Sequence, residues 1–168
     1  MFKDQFENFK DRFVKIRGNP KDIALGFALG VYVALTPTMG IQMMIAIFFA
    51  SLFRWNKFSA AAAVWITNPL TAIPIYGFNY WVGTKIFFWI EFKGFPDNLF
   101  SGGFGAFKEL LFNSPSILLI TALGGFIVGI PSAIISYHFA YKAIINYREK
   151  REQVKEKIKD IKEKRKNN

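Results

Sequence analysis

Residues 23–42, IALGFALGVYVALTPTMGIQ, and residues 65–76, WITNPLTAIPIY, decide how this chain is read. They hold the two places where one long apolar tract, Asp22 to Glu91, is broken by proline. The first break is Thr36-Pro37-Thr38-Met39-Gly40 and the second is Thr67-Asn68-Pro69-Leu70-Thr71. Each falls where a membrane-spanning helix would be expected to run on. Backbone is opened inside a bilayer only where it is buried in protein or lines a cavity.

The rest of the tract fits that reading. Hydrophobic residues make up 52% of the chain although both ends are highly charged, and 20 of its 168 residues are Phe. That is more aromatic surface than a core of this size needs, and it suits contact with lipid. There is no Cys and one His, so disulfides, thiolate sites and His-based metal clusters are excluded. The net charge of +10 resides in Lys and Arg that flank the apolar tracts. Anionic head groups and the positive-inside rule account for that placement, so nucleic acid is set aside as a partner.

The segment up to Thr36 rises only about 22 Å, and Ile41–Phe53 is as short; neither crosses a hydrocarbon core of ~30 Å. Two readings follow: one bent span made of both halves, or a re-entrant hairpin that dips in and returns. Ala24, Gly26, Ala28 and Gly30 are taken as one close-packing face. Such a face favours the hairpin. Arg54-Trp55-Asn56-Lys57 is an aromatic-anchored cytoplasmic loop, and Phe58–Thr67 a half-helix. Leu70–Ile90 is long enough to span, with Pro74 kinking it early and Asn79 facing inward.

Phe2, Phe6, Phe9, Phe13 and Ile16 form one face of a basic amphipathic helix over 1–17, lying on the membrane or on the protein's own cytoplasmic side. The charged segment is too long for the start of a secretory signal peptide. Residues 91–114, glycine-rich and acid-balanced, suit the outer side. Pro115–Ile145 is the clearest span, with a GxxxG face at Gly125 and Gly129 that serves packing within the chain or dimerisation. From Lys142 a Lys/Glu-rich helix reaches Lys166. The domains are therefore the 1–17 helix, an 18–145 membrane domain and a basic 146–168 tail. The fold class is an all-α integral membrane protein with re-entrant or broken helix hairpins and about two full crossings, both ends cytoplasmic.

Asparagine before proline signals a helix start, with Asn68 as N-cap and Pro69 at the first position; Thr36-Pro37 has the same grammar. Each break is thus expected to hold a helix N-terminus inside the membrane, whose amides and partial positive charge suit an anion. Thr36, Pro37, Thr38, Gly40, Gln42, Thr67, Asn68, Pro69, Thr71, Pro74, Tyr76 and Asn79 form the candidate ligand-binding set. The plainer reading is that they satisfy backbone groups freed at two kinks. No Asp, Glu, His, Lys or Arg lies in 23–53 or 58–84. A proton relay, a metal or cofactor site and a catalytic constellation therefore have nothing to stand on there.

These residues also resemble a family. The TPxxGxQ run at Thr36, Pro37, Gly40 and Gln42, and the NPLTxxPxY run at Asn68, Pro69, Leu70, Thr71, Pro74 and Tyr76, resemble the bacterial inner-membrane domain of unknown function numbered 2062. The resemblance covers roughly residues 15–145. It implies the membrane fold, and, because some members are joined to glycosyltransferase domains that use polyprenyl-phosphate carriers, an association with envelope glycans. Paired re-entrant half-helices are also similar in architecture to proteins that return undecaprenyl phosphate across the inner membrane, though those use embedded charges that this chain lacks. Two functions follow as expectations. One is a small transporter or flippase-like protein holding an anionic head group, such as a lipid phosphate. The other is a non-catalytic scaffold that docks a glycosyltransferase or other envelope-assembly partner. Anionic lipids are expected partners in either case, and so few crossings suggest a homo-oligomer.

Overall fold

The computed structural model describes residues 18–87 and 114–166, which form five helices and no strand. They are α1 (Pro20–Ala34), α2 (Gln42–Leu52), α3 (Lys57–Val64), α4 (Ala72–Ile86) and α5 (Pro115–Lys166). The expected 1–17 helix and the 91–113 segment lie outside the described residues. By length and composition, α5 is long and apolar enough to cross a membrane.

Local chemistry sets the helix ends. Asn19 Oδ1 accepts the Lys21 amide at 3.1 Å with Pro20 in the first turn, so Gly18-Asn19-Pro20 opens α1. At α3, Asn56 Oδ1 accepts the Ser59 amide at 2.8 Å. Between α2 and α3 the chain turns through Arg54, whose φ of 59° is left-handed.

The chain reverses after α1. Asn56 N–H donates to the Asp22 carbonyl at 3.0 Å, and Ser59 Oγ donates to that of Ile23 at 2.7 Å. The far end of α2 therefore sits beside the beginning of α1. Residues 22–53 form a hairpin, and the bent-span alternative is set aside. Val33 of α1 packs with Ala46 and Ala50 of α2 and with Ala60 and Val64 of α3.

From there α3 runs parallel to α1. A Cβ on Gly26 would strike the Asn56 carbonyl, and one on Gly30 the Ala60 carbonyl. Ala24 instead packs with Ala140 and Ile144 of α5. The small residues of α1 thus divide between two partners, because positions four apart share a helix face and positions two apart do not. The single close-packing face expected from the sequence is corrected on that ground.

Helix α5 runs antiparallel to α1, with Gly129 against the Tyr32 ring and Gly125 against the Leu35 carbonyl. Of the two uses open to the GxxxG residues, packing inside the chain is the one they serve. Helix α4 takes over where α1 stops: Gly83 lies on the Ile120 carbonyl and Gly124 on that of Asn79. Together α1 and α4 occupy successive lengths of α5. Pro74 falls in the first turn of α4, where an amide has no partner within the helix, so the expected kink is absent.

Gly124→Ala should lower the unfolding temperature, at a cost of about 1–3 kcal/mol for forcing a methyl into a filled crossing. Gly77, also in α4, has open space within 4 Å. Gly77→Ala should leave that temperature unchanged or raise it, by up to about 1 kcal/mol of helix propensity. Thermal unfolding of the two variants beside the parent checks both.

Candidate functional site

The end of α1 organises the site. A helix leaves its last four carbonyls without partners in its own backbone. Here α1 ends in the protein's middle, with Thr36 and Leu35 both buried. The carbonyl of Val33 accepts from Thr36 Oγ1 at 2.7 Å, and that of Ala34 from Thr67 Oγ1 at 2.7 Å. Leu35 accepts from Asn79 Nδ2 at 2.6 Å, and Thr36 from Tyr76 Oη at 3.1 Å. Four successive carbonyls, the last two just past the helix, are met by four side chains drawn from both breaks and from α4; those of Val33 and Thr36 also accept the Thr36 and Thr38 amides. The two interruptions meet, as the sequence suggests.

Their electrostatic sense differs from the expectation. Thr36-Pro37 follows the C-terminal end of α1 and does not cap a helix start. The polar side chains around it donate to carbonyls, at the negative end of the helix dipole. At the second break Asn68 caps the turn over 69–71, and the helix N-cap is Thr71, not Asn68 as expected. Asn68 Oδ1 accepts from Leu70 N at 2.9 Å and from Thr71 N at 3.1 Å. In return, Asn68 N donates to Thr71 Oγ1 at 2.9 Å, which donates to the Ile66 carbonyl at 2.7 Å. The Leu70 and Thr71 amides at this break are taken up by Asn68 itself. Regular α-helix begins at Ala72, and Pro69 lies exposed in the turn before it.

Gln42 ties the breaks from the other side, donating from Nε2 to the Thr67 carbonyl at 3.3 Å. It opens α2, whose start has no side-chain cap. The turn leading there needs Gly40 at a φ of 101°, which favours glycine although space beside it is open. Thr38 shares a hydroxyl–hydroxyl hydrogen bond of 3.0 Å with Thr36. Of the candidate set, Thr36, Pro37, Gln42, Thr67, Tyr76 and Asn79 are buried together. Thr38, Asn68 and Thr71 are half-buried, while Gly40, Pro69 and Pro74 are exposed.

Two buried acceptors, Gln42 Oε1 and Asn79 Oδ1, have no hydrogen-bond partner among the described residues. Swapping oxygen for nitrogen in either amide does not remove them. The near atom in each case faces a carbonyl, which only accepts, so it must be the NH₂. Gln42 lines a cavity of about 300 Å³ with Met39, Gly40, Met43, Trp65 and Thr67.

The 36–38 turn also lines a larger groove of about 620 Å³. Leu29, Tyr32, Val33 and Thr36 face it from α1 and its end, Ile45, Phe49 and Phe53 from α2 and its end, and Leu118, Ala122 and Phe126 from α5. Sequence reasoning missed it. The signal was present as three stripes at three- and four-residue spacing, but nothing along the chain says that they face one gap.

The chain matches, over residues 3–153, the family described as an uncharacterized protein conserved in bacteria, the domain of unknown function numbered 2062. It belongs to that family. No curated protein and no solved structure matches it. The family match is wider than the resemblance read from the motifs, taking in most of the first segment and the start of the tail. Within this member, the TPxxGxQ and NPLTxxPxY runs supply Thr36, Gln42, Asn68 and Tyr76 to the junction, while Thr67 and Asn79 flank the runs. Among the described residues no cluster suits a metal ion.

Asn79→Leu should cost about 1–3 kcal/mol, since it strands the buried Leu35 carbonyl. Thr67→Val, close in shape, should cost a similar amount by freeing the Ala34 carbonyl. Asn68→Ala, in a half-buried turn, should cost about 0.5–2 kcal/mol as an ordinary cap loss. Chemical unfolding of the three variants measures this order.

Proposed function

We propose that this chain is a small multi-pass protein of the bacterial inner membrane that binds a lipid and acts as a transporter or flippase-like protein. The observation that carries the reading is the groove of about 620 Å³ between α1, α2 and α5, apolar over most of its lining and with Thr36 and Thr38 among its few polar residues. Apolar walls with few polar groups among them suit a hydrocarbon tail.

Other features support a bilayer setting. Large apolar side chains stand exposed, Phe48 at 63%, Leu70 at 82% and Phe139 at 72% among them. Large apolar side chains exposed in this way suit contact with lipid or another protein. Helices α1 and α4 hold 15 residues each. Laid end to end they rise about 45 Å, enough for one crossing of a ~30 Å core beside α5 as the second. The α2–α3 pair is then the re-entrant part, with its Arg54–Lys57 turn cytoplasmic beside the N-terminus and the basic tail. The exposed face of α2 offers a surface for a homo-oligomer.

One observation favours a scaffold as the second reading. Helix α5 continues without a break for 52 residues and takes in a Lys/Glu-rich stretch at its end. Such an arm would suit docking of an envelope-assembly partner.

Ala122→Trp should fill the groove from α5. Its expected result is loss of co-purifying lipid in native mass spectrometry, with an unfolding temperature in lipid-free detergent like that of the parent. Undiminished lipid would place binding elsewhere. Deleting residues 147–168 should leave lipid retention intact, and loss of cellular function on that deletion alone would favour the scaffold.

A further inference from the structure

Helix α2 closes on an arginine where glycine is usual. The Trp55 amide donates to the Ala50 carbonyl at 2.8 Å, and the Arg54 amide to that of Ser51 at 3.2 Å. This pair of bonds is a Schellman closure, whose left-handed residue is most often Gly because a Cβ there crowds the backbone. Here Arg54 holds it, at a φ of 59°. The residue is exposed, and its guanidinium has no hydrogen-bond or ion-pair partner among the described residues. A cation favours the C-terminal end of a helix dipole, but Ser51 and Leu52, exposed in the last turn, would offer that without left-handed backbone. The fold alone gives no account of arginine at this position.

The groove gives one. Ile45, Phe49 and Phe53 line it at four-residue spacing, so it follows one face of α2 to the end of that helix. Arg54 is the next residue. Phe53 and Trp55, with ring centroids 4.9 Å apart, flank it with the aromatic pair typical of a membrane–water boundary. The Asn56 amide on the Asp22 carbonyl brings the start of α1 to the same level, where Lys21 and Lys57 are exposed and Asp22 is half-buried. Apolar groove, aromatic pair and guanidinium follow one another as tail, boundary and phosphate do in an anionic lipid. A guanidinium also matches a phosphate with two parallel N–H···O bonds.

We infer that Arg54 receives the phosphate of an anionic phospholipid whose tail lies in the groove between α1, α2 and α5. The inference rests on the lipid-binding reading and adds the head-group class and the residue that selects it.

The test titrates the full chain in detergent with phosphatidylglycerol and with phosphatidylcholine of identical tails, read by native mass spectrometry and thermal shift. The parent should bind phosphatidylglycerol about fivefold tighter or better, the worth of one cation at a membrane surface. Arg54→Gly should remove most of that preference, while its unfolding temperature without lipid stays level or rises as the left-handed backbone is relieved. Lys150→Gln, which takes one positive charge from the tail, should keep the preference. Equal binding of both lipids by the parent, an undiminished preference in Arg54→Gly, or an equal loss in Lys150→Gln overturns the inference and leaves the lipid reading standing. A lower unfolding temperature in Arg54→Gly assigns the arginine to the fold and overturns it as well. Inorganic phosphate should give no protection; protection equal to that of phosphatidylglycerol overturns the inference, since the groove would then add nothing. Binding of neither lipid overturns both readings.

Discussion

A helix that stops in the middle of a protein leaves its final carbonyls exposed to whatever surrounds them, and here nearly everything follows from how they are met. Helix α1 ends at Ala34, and Thr36, Thr67, Asn79 and Tyr76 each supply one donor to the carbonyls of Val33, Ala34, Leu35 and Thr36, at its end and just past it. Those side chains come from residues up to 44 positions away in the chain. Satisfying α1 therefore requires α3 to return to the same level and α4 to begin there. The hairpin, the half-helix and the second break are consequences of one hydrogen-bonding requirement.

Glycine makes the requirement achievable. Bonds of 2.6–2.7 Å to main-chain carbonyls need helix axes closer than larger side chains would allow. Gly26 and Gly30 bring α1 onto α3, while Gly83 and Gly124 bring α4 onto α5. Gly125 lies on the Leu35 carbonyl itself, beside the Asn79 amide that donates to it. Close crossing and carbonyl capping are two views of one junction. Loss of either loosens the other.

The junction also sets the chemistry open to a ligand. Most of its donors are committed to α1, and the Asn68 turn closes on itself, so the amides once expected at both breaks are available at neither Thr36-Pro37 nor Asn68-Pro69. What the interior leaves over is acceptor capacity at Gln42 and Asn79. The groove beside Thr36 and Thr38 is lined almost wholly by apolar groups, whereas the smaller cavity beside Gln42 is more polar.

Read along the chain, the apolar tract, its two proline breaks and their convergence were all legible, because proline and asparagine act through their immediate neighbours. The Asn68 cap is of that kind, made by groups no more than five residues apart. The cap on α1 is not. Nothing local says that Thr67, Tyr76 and Asn79 donate to α1, so the sequence alone suggested the opposite polarity for the site. The same limit applies to Ala24 and Gly26, both recognisable as contact residues although their different partners are not, and to the three stripes lining the groove. Sequence by itself determined where helices begin, where they fail and which positions are small or apolar, since those depend on interactions within a turn or two. Only the tertiary structure decided which end of which helix faces the polar centre, because a helix dipole and its unfilled carbonyls acquire a direction in space once the chain has turned back on itself.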